Sequence, residues 1–314
     1  MEWLTSDRPV PGHLRGGVVA LGNFDGFHRG HQAVVGQARA LAREAGRPLI
    51  VATFDPHPVR LFRPETPPFG LTTIAQRGRL IAGAGADAML VFHFDRALAD
   101  ESADRFVQSR LIDHAGAAAV VVGYDFTYGK GRAGDTGTLA RFGASHGLAT
   151  HSVMPVMDAA AAVSSSRIRL ALAEGDCATA TALLTRPFTI SGVVEHGAKL
   201  GRTLGYPTAN LTLGDYIRPA YGIYAVRGLL DDGRVLDGAA NLGIRPTIEG
   251  PPTELLEPYF FDFDGDLYGR TIEVQLIERL RPEAKFDGLE PLKAQMALDC
   301  QRARAILAAT PPVA

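Results

Sequence analysis

Val18-Val19-Ala20-Leu21-Gly22-Asn23-Phe24-Asp25-Gly26-Phe27-His28-Arg29-Gly30-His31 begins as an apolar run and ends where a helical pattern, 31–45, takes over. The run reads as a buried strand, and Gly22, Gly26 and Gly30 lie in the turn that leaves it. Glycine removes side-chain bulk where a ligand has to approach the backbone. His28 and His31, three apart at a helix start, share one face of its first turn. Free amides there, with the positive end of the helix dipole, attract phosphate. Histidine is also a common zinc ligand. The two cysteines, Cys177 and Cys300, lie far apart and in no metal-ligand spacing, which gives zinc little weight.

Working outward, the first half alternates two patterns. Strands are predicted over 18–21, 49–54, 88–92, 119–123 and 150–154, with helices over 31–45, 73–84, 102–114 and 136–146 between them. Near-continuous apolar strands separated by helices imply a parallel sheet covered on both faces. A helical segment over 164–184 follows and stops at Thr185-Arg186-Pro187, because proline disfavours continuation. Beyond it the pattern turns to β, with strands over 188–195, 222–230, 234–242, 256–263 and 271–279. Asp231-Asp232-Gly233 and Asp264-Gly265-Asp266 suit hairpin turns. Leu289, Leu292, Met296, Cys300, Ala303 and Leu307 give a last helix, 289–307, one apolar face. The boundary between the α/β half and the β half is placed near residue 186.

The chain has 314 residues, enough for two ordinary domains, and a net charge of −2 that argues against a general nucleic-acid binder. No apolar run reaches membrane-spanning length, and Met1–Asp7 lack the regions of a signal peptide. With two cysteines that fit a reducing compartment, a cytoplasmic enzyme is expected.

The opening stretch contains G-x-F-D-G-x-H-x-G-H, and in that form it resembles bacterial FAD synthetases, within the wider class of nucleotidyltransferases that share His-x-Gly-His. Three further stretches are similar to that family: Thr53-Phe54-Asp55-Pro56-His57-Pro58, then Val122-Gly123-Tyr124-Asp125-Phe126-Thr127-Tyr128 with the glycine-rich 129–135, then Val163-Ser164-Ser165-Ser166-Arg167-Ile168-Arg169. The 129–134 glycines spell G-x-G-x-x-G, but too late in the unit for a dinucleotide fingerprint. They are read instead as a mobile, basic loop near phosphates. Tyr128 stands where the family has phenylalanine, and a serine where it has the threonine of S-S-T. The resemblance implies in-line attack of the FMN phosphate on the α-phosphorus of ATP, with His28 and His31 as catalytic donors. It assigns Gly22, Asn23, Phe24, Asp25, Ser164, Ser165, Ser166 and Arg169 to the nucleotide and Phe54, Pro56, His57, Asp125 and Phe126 to the flavin.

In the second half, the stretch from Gly197 to Asn210 resembles the G-x-x-x-G-R-x-x-G-[FY]-P-T-A-N loop of riboflavin kinases. By that resemblance Lys199, Gly201, Arg202 and Gly205 contact nucleotide. Thr208 and Asn210, two apart, offer neutral oxygens that can face one way and suit Mg2+ when phosphates bring the negative charge. The stretch 256–269 is similar to V-E-V-H-L-x-D-F-x-G-D-L-Y-G, which puts the catalytic glutamate at Glu257, with Pro258 and Tyr259 in place of valine and histidine. Asn241 to Thr247 matches N-[IL]-G-x-R-P-T, with Ile248 where phenylalanine is common. The stretch 279–286 is similar to R-x-R-x-x-x-K-F, which implies that Arg279 and Phe286 flank the flavin.

Both motif sets occur in the order of the bifunctional prokaryotic riboflavin kinase/FAD synthetases. The resemblance implies an α/β Rossmann-like nucleotidyltransferase domain over 1–186. A mostly β, six-stranded barrel kinase domain with a C-terminal helix would follow over 187–314. ATP is then a substrate, Mg2+ the cofactor, and no bound redox cofactor is required. The partners are small molecules (riboflavin, FMN, ATP), with no nucleic acid and no membrane, and with homo-oligomer formation left open. Three rival readings are a single-activity FAD synthetase with a weakened kinase, a flavin-sensing regulator, and a nucleotidyltransferase for another metabolite.

Overall fold

A computed structural model describes residues 1–159, 161–196, 205–245 and 253–311. They pack as two units, Met1–Pro67 with Ile74–Ser164, and Pro68–Thr73 with the chain from Ser165 onward. By packing, the segment 165–184 therefore goes with the second unit, although the sequence groups it with the first half.

The first unit is a parallel sheet of six strands: β1 Glu2–Thr5, β2 Val18–Leu21, β3 Leu49–Asp55, β4 Ala88–His93, β5 Ala119–Gly123 and β6 Ala149–Val153. Their order is β1-β4-β3-β2-β5-β6, and every pairing is parallel. Alternate residues feed two cores, as the period of a strand requires. Val18, Ala20, Leu49, Val51 and Val121 pack with Val34, Val35, Ala38 and Ala42 of helix α1, Arg29–Ala45. Val19, Leu21, Ile50, Phe92 and Val122 pack with Phe106, Val107, Leu111 and Leu139 on the other face. Both faces are covered, so the strands are apolar throughout.

Three helices complete the site end of this unit: the short α2, Pro58–Phe62, then α3, Ile74–Gly83, and α4, Arg96–Ala99. The segment expected as one helix over 102–114 is α5, Ala103–Phe106, continued by a π-helical stretch, Val107–His114. Helix α6 is Thr136–Ser145. Strand β1 is not foreseen from the sequence, because four residues at a sheet edge, mostly exposed, show no alternation to read.

In the second unit the helical segment breaks into α7, Ser165–Glu174, and α8, Cys177–Leu184. Gly175, at φ +80°, ends the first, and Asp176 caps the second by accepting from the Thr179 amide at 2.9 Å. The strands are β7 Phe188–Val193, β8 Leu211–Thr212, β9 Gly222–Leu229, β10 Val235–Arg245, β11 Thr253–Phe260 and β12 Thr271–Arg281. They form an antiparallel sheet in the order β7-β12-β9-β10-β11-β8. An antiparallel bridge between Glu195 and Asn210 brings its two edges together, so the sheet is a nearly closed six-stranded barrel. Its inner face holds Ile190, Leu211, Tyr224, Val226, Leu242, Leu256, Ile272, Val274 and Leu276.

The final helix, α9, Leu289–Ala309, lies on the outer face of the barrel. Its buried stripe is Asp299, Ala303 and Leu307, with Cys300 and Ile306 beside it. Leu289, expected on the apolar face, is 58% exposed, so only the C-terminal part of the helix is seated. Arg227 fixes that part. Its Nη2 donates to the carbonyls of Leu307 (2.7 Å) and Thr310, and its Nε to Asp237 at 2.9 Å. The Leu307 carbonyl also accepts from the cap amide of Thr310 at 3.2 Å, and a cation is a favourable further partner for carbonyls at the negative end of a helix.

Arg227→Met is expected to remove about 3 kcal/mol from the second unit through loss of the charge-assisted bonds to Leu307, Thr310 and Asp237. Trp3, the only tryptophan, sits in β1 and reports the first unit by fluorescence. Urea unfolding should therefore show an earlier circular-dichroism transition with an unchanged fluorescence midpoint.

Candidate active sites of the two units

The turn after β2 is built in a conformation that ordinary side chains avoid. Phe24 (φ +50°), Gly26 (φ +83°) and Phe27 (φ +44°) are left-handed, which costs about 1–2 kcal/mol at each phenylalanine. Both rings are buried in the core beneath α1, and that burial offsets the strain. The turn delivers His28 as the N-cap of α1, where its Nδ1 accepts from the His31 amide at 3.4 Å. The two imidazoles stack at 3.6 Å and 18°, with Phe24 edge-on to His31 at 5.4 Å. A pair of rings is thus held flat against the positive end of a helix. Gly30 is required by close approach, since a Cβ there would lie 3.1 Å from His28 Cε1 and 3.5 Å from the Val163 carbonyl oxygen. The same contact brings the Val163-Ser164 backbone to the helix start.

Beneath the turn lies a charged group that the sequence reading missed. Arg77 of α3 is 6% exposed and faces Asp25, 2% exposed, with Nη2 3.8 Å from Oδ1. Its Nη1 donates to Thr53 Oγ1 at 3.1 Å and reaches the Phe54 carbonyl at 3.5 Å, while Thr53 donates to the Asn23 carbonyl at 2.9 Å. Burial lowers the Arg77 pKa, opposed by Asp25 and Asp55. Removing one member of such a pair costs about 3–5 kcal/mol, because the other is left as an unpaired buried charge. A signal was present: Ile74, Arg77, Gly78 and Ile81 follow helical spacing on one face, and an arginine on that stripe needs a buried partner.

The other expected residues of this unit divide. Gly22 donates its amide to the Ala52 carbonyl at 3.1 Å, tying the turn to β3. Asn23 leaves its side-chain oxygen buried without a hydrogen-bond partner. At the end of β3, Phe54 is buried among Phe92, Phe94 and Phe106, Pro56 follows in the loop, and His57 caps α2 by accepting from the Val59 amide at 3.2 Å. Asp125 is exposed after β5, and Phe126 stacks on Tyr128 at 5.6 Å. The glycine-rich stretch expected to be mobile has a fixed stem. Tyr128 and Gly134 exchange backbone hydrogen bonds at 3.0 Å, and the Lys130 amide donates to the Glu101 carbonyl at 2.7 Å. Burial pushes the Tyr128 hydroxyl up to about 12, so this ring stays neutral. Ser164 closes the first unit, whereas Ser165, Ser166 and Arg169 begin α7 in the second. Arg169 there donates Nε to the Phe69 carbonyl at 2.8 Å and lies over the Phe69 ring at 5.2 Å.

In the second unit, strand register assembles the site. Glu257 of β11 pairs with Asn241 of β10, which pairs with Ile223 of β9, which pairs with Arg281 of β12. Directly opposed residues share a face, here the outer one that α9 partly covers. Leu211 and Thr212 of β8 pair with Leu256 and Leu255, so the next residue, Asn210, stands opposite Glu257. The Ala209 amide donates to the Pro258 carbonyl at 2.9 Å, which continues that pairing. Thr208, Asn210, Glu257 and Asn241 therefore share one face. Pro258 leaves the β10 pairing intact: its nitrogen points the same way as its carbonyl, towards the chain at Ala209 and away from β10, so the missing N–H removes a bond only on the Ala209 side. Tyr259 meets Tyr206 of the loop edge-on at 5.2 Å and packs with Phe261 under α9.

Two β-bulges in β12, between Leu276 and Glu278 and between Arg279 and Arg281, decide which arginine reaches this row. Arg281 does, and its guanidinium is held by Asp299 of α9 (2.7 and 3.0 Å) with the Phe286 ring 5.7 Å away. Arg279 instead pairs with Tyr224 on the inner side, donates to the Tyr221 carbonyl at 2.5 Å and lies beneath Gly175 and Gly222. Gly205, at φ +85°, is exposed at the foot of the loop. Lys199, Gly201 and Arg202, with the 246–248 part of the N-[IL]-G-x-R-P-T stretch, lie outside the described residues. Among the described residues no three His, Cys, Asp or Glu side chains converge on a metal position. The donor set beside Glu257 is hydroxyl and amide, which fits a magnesium ion whose charge is balanced by phosphate. No helix among the described residues is long and apolar enough to cross a membrane.

Comparison with known proteins gives the family. Residues 10–167 match the FAD synthetase family model and residues 184–307 the riboflavin kinase model. The bifunctional riboflavin kinase/FMN adenylyltransferase of Escherichia coli strain K12 is 39% identical over 297 residues, covering 95% of each chain. Those of Pseudomonas fluorescens and Bacillus subtilis strain 168 are 41% and 37% identical, covering 94% and 91% of each chain. A crystal structure described as a macrolide-efflux protein from Streptococcus pneumoniae superposes with a TM-score of 0.86 at 31% identity, covering 97% of this chain and 99% of that one. The chain belongs to the family of bifunctional riboflavin kinase/FMN adenylyltransferases, transferases that phosphorylate riboflavin to FMN with ATP and adenylylate FMN to FAD.

Proposed function

We propose that residues 1–186 carry the adenylyl transfer, residues 187–314 the kinase, and that His28, His31 and Glu257 are the catalytic residues. The observation that carries the first assignment is the imidazole stack at the start of α1. The FMN phosphate attacks the α-phosphorus of ATP in line, a new P–O bond forms, and the bond to pyrophosphate breaks. His28 and His31 donate hydrogen bonds to the phosphate oxygens as charge builds on them, and no covalent enzyme intermediate is needed. Gly22, Asn23, Phe24, Asp25, Ser164, Ser165, Ser166 and Arg169 bind the nucleotide, and Phe54, Pro56, His57, Asp125 and Phe126 the flavin.

In the kinase, Glu257 takes the proton of the ribityl hydroxyl as that oxygen attacks the γ-phosphate and ADP leaves. What supports this is the shared face of Glu257, Asn210 and Thr208. Thr208 and Asn210 would hold Mg2+, which supplies neutralisation of the phosphate oxygens when bound. Lys199, Gly201, Arg202 and Gly205 bind the nucleotide, and Arg279 and Phe286 flank the flavin. The unbroken β10–β11 register through Pro258 favours a working kinase over a decayed one. Small molecules are the only partners this cytoplasmic reading requires.

His28→Ala is expected to lower FAD formation from FMN by about 100-fold or more while riboflavin phosphorylation stays within about two-fold. Glu257→Ala should do the reverse, lowering FMN formation by about 100-fold or more and leaving FAD formation from supplied FMN intact. Chromatography of flavin products reads both, and a folded variant that loses both activities would break the division. Gly30→Ala should displace the His28 ring and cost about ten-fold in FAD formation without a change in circular dichroism. Chelation with EDTA should stop both reactions, and added magnesium should restore them.

A further inference from the structure

We propose that Arg77 is a positioning residue for adenylyl transfer, holding the Asn23–Asp25 turn in fixed relation to the Thr53–Phe54 strand end. The proposal rests on the assignment of the His28–His31 site to that reaction. Those two segments are the nucleotide and flavin sides of one site, and they leave adjacent strands, β2 and β3. Besides the Gly22 amide bond to Ala52 and the Thr53 hydroxyl bond to the Asn23 carbonyl, one guanidinium bridges the two segments. Arg77 faces Asp25 at 3.8 Å, donates to Thr53 Oγ1 at 3.1 Å and reaches the Phe54 carbonyl at 3.5 Å, and the Thr53 hydroxyl passes the link to the Asn23 carbonyl at 2.9 Å.

The arrangement is poorly suited to stability alone. The ion pair is offset, not a two-pronged fork, and Arg77 Nε is buried with no hydrogen-bond acceptor. Burial weakens the charged form of the side chain, as its lowered pKa reflects. A buried, incompletely satisfied cation is expensive for a core, and an apolar residue would pack there at lower cost. What it supplies is a rigid planar connector between two loops whose relative placement decides in-line geometry. An error of about 1 Å in such placement costs about 100-fold in rate. The effect proposed for Arg77 acts through Asn23, Asp25 and Thr53.

The test is steady-state kinetics of FAD formation on the full chain, with riboflavin phosphorylation assayed in the same preparation. Arg77→Gln is expected to lower kcat by about 50-fold with KM for ATP and FMN within about three-fold, because orientation and not ground-state binding is lost. Arg77→Lys, which keeps the charge beside Asp25 but not the planar fork, should recover part of that loss. Thr53→Val removes the connecting hydroxyl with little change in volume and should lower kcat by about ten-fold. Trp3 packs against Gly78, the neighbour of Arg77, so its fluorescence reports whether α3 is seated. A seated Arg77→Gln with the parent kcat overturns the proposal, as does a loss carried entirely by KM. If Arg77→Gln does not fold, Thr53→Val decides: the parent kcat there overturns the proposal equally. His28→Ala run in parallel separates the two claims, since retained FAD formation in that variant defeats the site assignment itself.

Discussion

In a parallel sheet every strand ends on the same edge, and the chemistry of the first unit follows from that constraint. β2, β3, β5 and β6 all run the same way, so 22–31, 53–58, 123–135 and 154–159 emerge on one side without any further instruction. The chain moves outward from β2 through β3 and β4, then returns to place β5 on the other flank of β2. That reversal leaves a crevice at the end of β2, where ligands of doubly wound sheets bind. The left-handed phenylalanines, the His28 cap and the Arg77 bridge all serve the turn at that one position. Their costs, strained backbone and a buried cation, are local, and the apolar strands beneath absorb them.

The second unit meets a different constraint and solves it by register. An antiparallel barrel brings no two loops together by default, but residues directly opposed across strands must share a face. One row, Asn210–Glu257–Asn241–Ile223–Arg281, therefore runs across the outer face, and its members come from sequence positions up to 71 apart. A one-residue slip anywhere would turn Glu257 into the barrel, where Leu256 and Phe260 now lie. The bulges in β12 use the same sensitivity deliberately, setting Arg281 on the row and Arg279 behind it. Asp299 then draws α9 over the row through Arg281, joining the last helix to the site.

How much of this was legible depended on whether the signal was local. Val18–Leu21 and its glycine-bearing turn carry strand, turn and helix cap within fourteen residues, and they were read correctly as strand, turn and helix start. The barrel strands were also readable, from alternation. The break at Gly175-Asp176 was local too, a C-terminal glycine followed by a capping aspartate, and it was passed over because the apolar pattern continues on both sides. What could not be read was pairing. Nothing near Arg77 in sequence names Asp25 or Thr53 as its partners, and nothing near Arg281 reveals two bulges. Strand β8 has two residues and exists only because β11 lies beside it. Motif resemblance pointed to Glu257 and Asn210, but only the register explains why residues so far apart in sequence lie side by side.

The two sites also differ in the kind of group they bring to phosphate, and electrostatics accounts for the difference. In the first unit two imidazole rings lie 3.6 Å apart. Two fixed cations at about 4 Å would repel by about 4 kcal/mol at an effective dielectric of 20, and would oppose the buried packing of Phe24 and Phe27 beneath them. A neutral imidazole can donate a directed hydrogen bond without a permanent charge. Adenylyl transfer joins two anions, so it needs donors at the developing charge and no base. A neutral hydroxyl that attacks phosphate is helped by a carboxylate base, and on the assignment proposed above Glu257 is that base, set among amides and a hydroxyl. A second carboxylate in that row would raise the basicity of the first and repel the incoming triphosphate. The register sets the neutral side chains of Asn210 and Asn241 on either side of Glu257, so under the proposed assignment the base has no carboxylate beside it in that row.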